Sequence, residues 1–559
     1  MLQTSSAQAA TKPNVVMIMV DDMAVSYLPV MPNVRKLIAD KGTTFKNTFA
    51  SYPLCCPSRA TYLTGQYPHN HDVLDNKAPH GGFAKLRGKN TLPVWMSKAG
   101  YHTAHIGKYL NGYGSKNPRT VPAGWQEWHG LVSAYRMWGY SINHNGKKPK
   151  RYGTWDSNDP KLYQTDVLRK LAVDYIDRKA PGKPFFLSVA PLAPHVEVGD
   201  TIRDKYGPGS PRPAPRHKGA FKNKKLPQPA SYSEGDVSDK PRHIRKLDKL
   251  GKKETARITA RWRAQLESLL AVDEMVAAMV KKLAARGELD STTIMFTGDN
   301  GYLSGQHRIR EGKVHPYDAS TRIPLIIRGP GFPKGRTVQM ATSNVDWAPT
   351  ITDVGNAKAG LQMDGRSLLS LAKNPKSGDR RQLLFETGPK GKQRWYAAIR
   401  GSRYMYIKHS TGEAELYDLK KDPQQLRSRH KDAAYKDVRA RLAKRLKELH
   451  GCKGKACWGL PARPQDEPPP KDEKPGKDEP SGDTPKSGDD DVDNPGGNGG
   501  GKGEGKGEGK GEGKESASGL NEKSLPVTGL AIGGLLVLGL GSVGAGLALR
   551  AVRRRRTTG

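Results

Sequence analysis

The sequence predicts an α/β protein built on a largely parallel sheet. Two observations carry this: short apolar runs that end abruptly in acid, amide, base or imidazole, and helical stretches that fill the gaps between them. The first run, residues 14–20, is apolar after Asn14 and meets Asp21 and Asp22. Residues 33–40 read as a short helix. A weaker run at 101–106 leads to Gly107 and Lys108, and residues 185–190 lead to Pro194 and His195. A longer helix over 268–286 sets Leu269, Val272, Val276, Met279 and Leu283 at helical spacing ahead of Gly287, which is a core stripe. Asp273 and Glu274 on that helix are expected on a solvated face. The run 293–296 then meets Gly298, Asp299, Asn300 and Gly301. Continuous apolar runs of this length bury both faces, as strands of a parallel sheet do. In such sheets the ligand lies beyond the carboxyl ends of the strands.

Composition limits the function classes. Of 559 residues, 93 are Lys or Arg and 55 are Asp or Glu, a formal charge of +38. Gly is densest after residue 462, where 23 of the 63 fall, while 32 of the 41 Pro lie before it, so the body is an ordinary folded chain with a biased tail. Residues 461–520 hold 9 basic against 15 acidic side chains, which leaves the positive field to the first 460 residues. Such a field favours anionic partners, nucleic acid or sulfated polysaccharide, unless it is only a soluble surface. No aromatic-basic module or recognition helix accompanies it, so nucleic acid is not expected. Four Cys exclude a disulfide scaffold or a multi-zinc array.

The ends give an address. Leu525, Pro526, Val527, Thr528 and Gly529 precede an apolar stretch at 530–549, and Arg553 to Arg556 close the chain. The stretch has the length of a bilayer span, with arginines on the cytoplasmic side. The pentapeptide resembles a sortase signal of the LPxTG type, which implies cleavage after Thr528 and attachment of Thr528 to the peptidoglycan of a Gram-positive cell wall; a plain membrane anchor is the alternative. Residues 461–524, with their Gly-Lys-Gly-Glu repeat, cannot bury a core and read as an extended wall-spanning tether. Residues 1–10 resemble the end of a signal peptide. In an oxidising space Cys452 and Cys457 close a small disulfide loop, or else remain two free thiols. The expected domains are therefore 1–10, a catalytic domain at 11–385, a subdomain at 386–460, the tether at 461–524 and the sorting signal at 525–559.

Chemistry enters with two motifs. Asp21, Asp22, Asp299 and Asn300 supply hard oxygen ligands that suit calcium or magnesium rather than zinc or copper, although an Asp pair after a strand is also a common turn or cap. Residues 55–65 read Cys-Cys-Pro-Ser-Arg-Ala-Thr-Tyr-Leu-Thr-Gly. Pro57 belongs to the first turn of a helix, whose amide end would face the site, and Arg59 adds a fork of donors for an anion. This stretch resembles the activation motif of the sulfatases, C-x-P-S-R-x-x-x-L-T-G, at every fixed position. The resemblance spans most of residues 14–427, with Met31-Pro32-Asn33, Gly107-Lys108, Pro194-His195, Gly298-Asp299-Asn300-Gly301, Lys313 and Tyr317 in the family's order. Within the family the chain resembles the N-acetylglucosamine-6-sulfatases, through the double Cys55-Cys56, the 107–111 run, the 268–273 run and the 415–419 segment.

The resemblance implies an alkaline-phosphatase-like α/β domain, with a mixed, largely parallel central sheet between helices, followed by a smaller subdomain with an antiparallel sheet. It implies that a formylglycine-generating enzyme oxidises Cys55 to formylglycine (3-oxoalanine), whose hydrate attacks sulfur and then expels sulfate. Asp21, Asp22, Asp299, Asn300 and the modified Cys55 would hold Ca2+, with Mg2+ the alternative. Arg59, Lys108 and Lys313 would neutralise the sulfate oxygens, and His195 would protonate the departing alkoxide. The implied substrate is a sulfated glycan, at the 6-position of N-acetylglucosamine. Many sulfatases have His where this chain has Leu110. That departure leaves open the base that collapses the sulfated diol, for which His307 is a candidate; His105 and His315 read equally as structural. Alternatives are an arylsulfatase, a phosphoester or phosphonate hydrolase of the same fold, or a wall-displayed glycan-binding protein. The basic insertion at 203–253 either lines the pocket or forms a solvated loop.

Overall fold

The computed structural model describes residues 12–132, 135–179, 183–198, 210–375, 381–388 and 395–458. The expectations for residues 1–10, for the tether at 461–524 and for the sorting signal with Thr528 fall outside these residues. Among the described residues no helix is long and apolar enough to cross a membrane.

Eleven strands form the main sheet: β1 (Asn14–Val20), β2 (Thr43–Phe49), β3 (His102–Gly107), β4 (Glu127–Leu131), β5 (Tyr140–His144), β6 (Lys150–Tyr152), β7 (Phe185–Ala190), β8 (Thr292–Gly298), β9 (Arg322–Ile323), β10 (Leu325–Arg328) and β11 (Arg336–Ser343). Their order is β11-β2-β10-β8-β1-β7-β3-β4-β5-β6, with β9 on β2. The centre is parallel, as β1 pairs with β7 and β8, and β3 with β7 and β4. The antiparallel strands β10, β5 and β6 make it mixed.

Alternation along β1 builds three layers. Val16, Ile18 and Val20 pack with α2 (Gln164–Arg178) and α3 (Lys252–Ala285), whereas Val15, Met17 and Met19 pack toward α1 (Cys55–Thr64) and α4 (Trp347–Val354). The predicted stripe Leu269, Val272, Val276, Met279 and Leu283 is fully in this core. Helix α3 begins at Lys252 rather than 268, because the only apolar side chains its first turns hide are Ile258, Trp262 and Leu266, and the other residues buried there, Arg261, Gln265 and Glu267, are polar, so the stretch reads as polar. Asp273 is not solvated as expected. It is buried and accepts from the backbone N–H groups of Asn33 and Val34, so it caps the short helical segment at 32–39 from across the layer. Glu274 remains partly exposed, paired with Arg216.

The second sheet is antiparallel: β12 (Leu383–Thr387), β13 (Tyr396–Arg400), β14 (Tyr404–His409) and β15 (Ala414–Asp418). One face, with Phe385, Ala398, Met405 and Tyr417, packs on Phe49 and Tyr317 of the main body. The other face, with Leu384, Ile399, Tyr406 and Leu416, is covered by α5 (Lys436–Leu449) through Val438, Leu442 and Leu446.

Candidate active site

Sheet register assembles the site. Val20 lies opposite Gly298, so the chain leaves β1 through Asp21 and Asp22 beside Asp299 and Asn300 at the end of β8. Gly107 lies opposite Ala190, which brings Lys108 against the turn that carries His195. Gly107 has a φ of +115°, and a Cβ there would stand 2.1 Å from the Ala190 carbonyl, so no other residue fits this crossing. Helix α1 delivers Cys55 at its first turn and ends at Gly65, a left-handed cap with φ +66°. The predicted free amides at its start are largely used. Cys56 N–H donates to Asn76 Oδ1, Ser58 N–H to the Leu54 carbonyl, and Pro57 has none.

Asp21, Asp22, Cys55 and His195 offer ligand atoms within 4.8 Å of one another, all buried. Asp299 Oδ1 accepts from the Asp22 N–H at 3.1 Å, and Asn300 Nδ2 donates to Asp22 Oδ1 at 2.7 Å. Arg59 Nε donates to Asp299 Oδ2 at 2.8 Å and its Nη1 to the Lys108 carbonyl at 2.8 Å. Lys108 Nζ pairs with Asp21 Oδ2, and Lys313 Nζ with Asp22 Oδ1. Lys313 also donates to Cys55 Sγ at 2.8 Å, and the thiol faces Asp21 Oδ1 at 3.5 Å. The sequence-predicted residues Asp21, Asp22, Cys55, Arg59, Lys108, His195, Asp299, Asn300 and Lys313 thus share one centre.

Three carboxylates and three basic side chains lie close together here. Burial alone would raise Asp21 and Asp22, but Lys108 and Arg59 outweigh it at Asp21, and Lys313 at Asp22, so both are lowered and stay ionised. Burial works against Lys108 and Lys313 too, and the carboxylates hold both above the ordinary range. Cys55 is pushed up to about 12 by burial, so it is a neutral thiol and a weak nucleophile as it stands. His195 Nδ1 hydrogen-bonds the Val196 carbonyl at 2.6 Å, which turns Nε2 toward Asp22 Oδ2, 3.5 Å away. Burial lowers its pKa despite the two aspartates.

A divalent cation fits these donors. Asn300 Oδ1 is buried without a hydrogen-bond partner, in a set made otherwise of carboxylate oxygens, which is hard-cation chemistry. Arg59 Nη2 is likewise buried without a hydrogen bond, 3.9 Å from Asp21.

Tyr135 was not legible in the sequence. Its ring lies 4.6 Å from Lys108 Nζ and 5.1 Å from the His195 ring, and its hydroxyl accepts from Asn111 Nδ2 at 2.6 Å. It follows β4, a strand-end position, but Glu-Trp-His-Gly-Leu lacks the continuous apolar character that marks a buried strand. His307 stands elsewhere. Its Nδ1 pairs with Glu234 at 2.7 Å, its ring stacks on Tyr317, and it lines a separate cavity of about 360 Å³ with Tyr27, Trp262 and Tyr302. That cavity includes none of the centre's residues, so the expectation of His307 as the collapsing base gains no support; Leu226 and Pro227 of the basic insertion form part of its wall. His105, buried and stacked on Trp128, and His315, half-buried beside His243, are both held down to about 3 by desolvation, as structural residues are. Cys452 and Cys457 are joined in a disulfide.

The sulfatase family profile matches residues 13–357, and that for the N-sulphoglucosamine sulphohydrolase C-terminal region matches 305–451. An arylsulfatase of Volvox carteri is 34% identical over 507 residues, covering 81% of this chain and 77% of its own. The N-acetylglucosamine-6-sulfatase of Homo sapiens is 30% identical over 500 residues, covering 81% and 87%. A structure solved with its substrate D-glucosamine-2-N,6-O-disulfate superposes with a TM-score of 0.66 at 24% identity, over 83% of this chain and all of that one. Matched along both of its sheets, the chain belongs to the sulfatase family and is a sulfuric ester hydrolase of alkaline-phosphatase-like fold.

Proposed function

We propose that the enzyme releases sulfate from the 6-position of N-acetylglucosamine in sulfated glycans, with Cys55 converted to formylglycine and Ca2+ held by Asp21, Asp22, Asp299 and Asn300. The carrying observation is that Cys55, a buried neutral thiol, touches a lysine that is itself paired with one of these aspartates. When present, the hydrated aldehyde would supply a hydroxyl nucleophile, and the cation would polarise the ester and take up oxygen charge. The three carboxylates and three basic groups cancel, so a divalent ion makes the site net positive, which suits an anionic ester.

The chain's own residues do the rest. Arg59 ties Asp299 to the segment after β3 and keeps Nη2 available for an anion. Lys108 and Lys313 bring ammonium groups to the same point and neutralise sulfate oxygens. The Tyr135 ring lies against the Lys108 ammonium and helps hold it in place. The bond from His195 Nδ1 to the Val196 carbonyl leaves Nε2 facing the centre, and because burial favours the neutral ring, Nε2 must take up a proton before it can pass one to the departing sugar oxygen.

The relatives named N-acetylglucosamine-6-sulfatase and the basic body support the glycan substrate. The algal arylsulfatase relative supports a second reading, hydrolysis of aryl sulfates. The end sequence supports export, sortase attachment and a peptidoglycan-bound location. Peptide mass spectrometry across Cys55, with sulfate release from defined glucosamine sulfates with and without a chelator, tests the reading. An active enzyme with an unmodified thiol overturns the nucleophile. Turnover of aryl sulfates without glucosamine 6-sulfate moves the substrate.

A further inference from the structure

Three cations near the first turns of α3 have acidic partners: Arg216 with Asp166 and Glu274, Arg245 with Glu413, Arg261 with Glu311. A second group beside them has none. Lys218, Lys222, Lys224 and Lys225, and then Lys246, Lys249, Lys252, Lys253 and Arg257, are all exposed, with no carboxylate in ion-pair reach among the described residues. Residues 215–225 contain five Lys or Arg and no acid.

Lys252 of this group lines a groove, and the loop that carries Lys224 reaches its far end. A shallow trough of about 480 Å³ runs along α3, floored by Thr255, Ala256 and Thr259 and bounded by Lys252 and Arg263. Residues 252, 256, 259 and 263 lie on one face of the helix, a length of about 16 Å. Arg263 Nε donates to the Lys224 carbonyl at 2.8 Å, which joins the lysine-rich loop to the far end of the trough. Glu254 already accepts from the Gly251 N–H at the helix start, so side chains supply the attraction.

We propose that this groove binds a stretch of linear sulfated polysaccharide, as a second contact for the polymer away from the nucleophile. The inference rests on the glycan reading above and extends it. Small hydroxyl and methyl groups on the floor suit a sugar chain, the flanking ammonium groups suit its sulfates, and no aromatic side chain lines the trough to stack a base. A lipid surface finds no apolar anchor, since Val121 is the one exposed large hydrophobic residue among the described residues.

The test uses the full chain and size-fractionated heparin, titrated over a range of NaCl concentrations. The variant Lys222→Glu/Lys224→Glu/Lys225→Glu/Lys252→Glu should bind heparin at least ~10-fold more weakly, with a log–log salt slope shallower by roughly one per lost contact. Turnover of a small monosulfated substrate should be unchanged, which also shows that the variant is folded. Wild-type affinity and slope in the variant overturn the groove, and so does duplex DNA bound as tightly as heparin through the same lysines. Should heparin binding depend on the groove while no glycan loses sulfate, the glycan activity fails and the groove stands. Should sulfate be released and heparin ignore the groove, only the groove falls.

Discussion

The two ends of α1 are built in opposite ways. At its start, Cys55 stands among charges that fail to satisfy one another completely: Arg59 Nη2 and Asn300 Oδ1 are buried without hydrogen-bond partners. Past its end, the chain is stapled down. Asp364 accepts from Tyr67 N–H and Asn70 Nδ2 through one oxygen and from Gly454 N–H through the other. His69 bridges Glu386 Oε1 and the Cys452 carbonyl, and the Cys452–Cys457 disulfide closes the loop that supplies these groups. The lesson is a division of labour. At the start the atoms without partners face the charge cluster and are open to a ligand, while the far end, although the buried Tyr67 hydroxyl also lacks a hydrogen bond, is fastened by several others.

The strongest way to break this comparison is at the start of the helix. Cys55→Ala should reduce sulfate release on the order of 10⁵-fold with little change in thermal stability, measured by sulfate release and a melting curve. Substantial residual turnover would show that the charge cluster, not Cys55, carries the chemistry. Next, removal of divalent cations by a chelator should abolish most activity and lower the melting temperature, with both restored by Ca2+; Asp22→Asn should cost on the order of 10³-fold in kcat. A melting temperature indifferent to the chelator would remove the metal from the centre. Tyr135→Leu takes the ring from beside Lys108 and should lower kcat/KM about tenfold.

The far end sharpens the contrast, because effects there should appear in stability rather than rate. Cys452→Ser/Cys457→Ser should cost about 2 kcal/mol of unfolding free energy and leave kcat on a small substrate within about twofold. The smallest effect concerns pH. Burial favours neutral His69, but the Glu386 hydrogen bond and charge outweigh it, so its pKa is raised above the ordinary 6.5. The stabilisation is therefore fully present below the unfolded pKa and fades as pH rises through the folded one. His69→Gln should flatten that part of the pH–stability curve. An unchanged profile would mean that the bridge adds nothing to fastening the helix.

Much of the centre was legible because strand ends announce themselves. The runs before Asp21 and Asp299 are continuous and apolar, so the polar residues after them fall at carboxyl ends of buried strands, and residues 55–65 carry a spaced motif. What stayed hidden had no such contrast. The start of α3 buries only three apolar side chains in about four turns, the rest of its buried residues being polar or charged. Strand β4 mixes Glu, Trp, His and Gly, so Tyr135 beyond it looks like any loop tyrosine. Asp273 reads as a surface acid, yet it caps a segment some 240 residues earlier in the chain.

By itself, then, the sequence determined which residue types exist for the chemistry and that they follow buried strands, since periodicity and motif spacing are local properties of the chain. Only the tertiary structure decided which of them meet. The pairing of Val20 with Gly298 and of Gly107 with Ala190 is a matter of register, and a shift of one residue would turn the aspartates and Lys108 to different faces. Burial, too, belongs to the packed state alone: it turns Cys55 into a neutral thiol, leaves an amide oxygen of Asn300 without a partner, and sets His307 beside another cavity. Charge and desolvation act through space, and sequence distance carries no record of either.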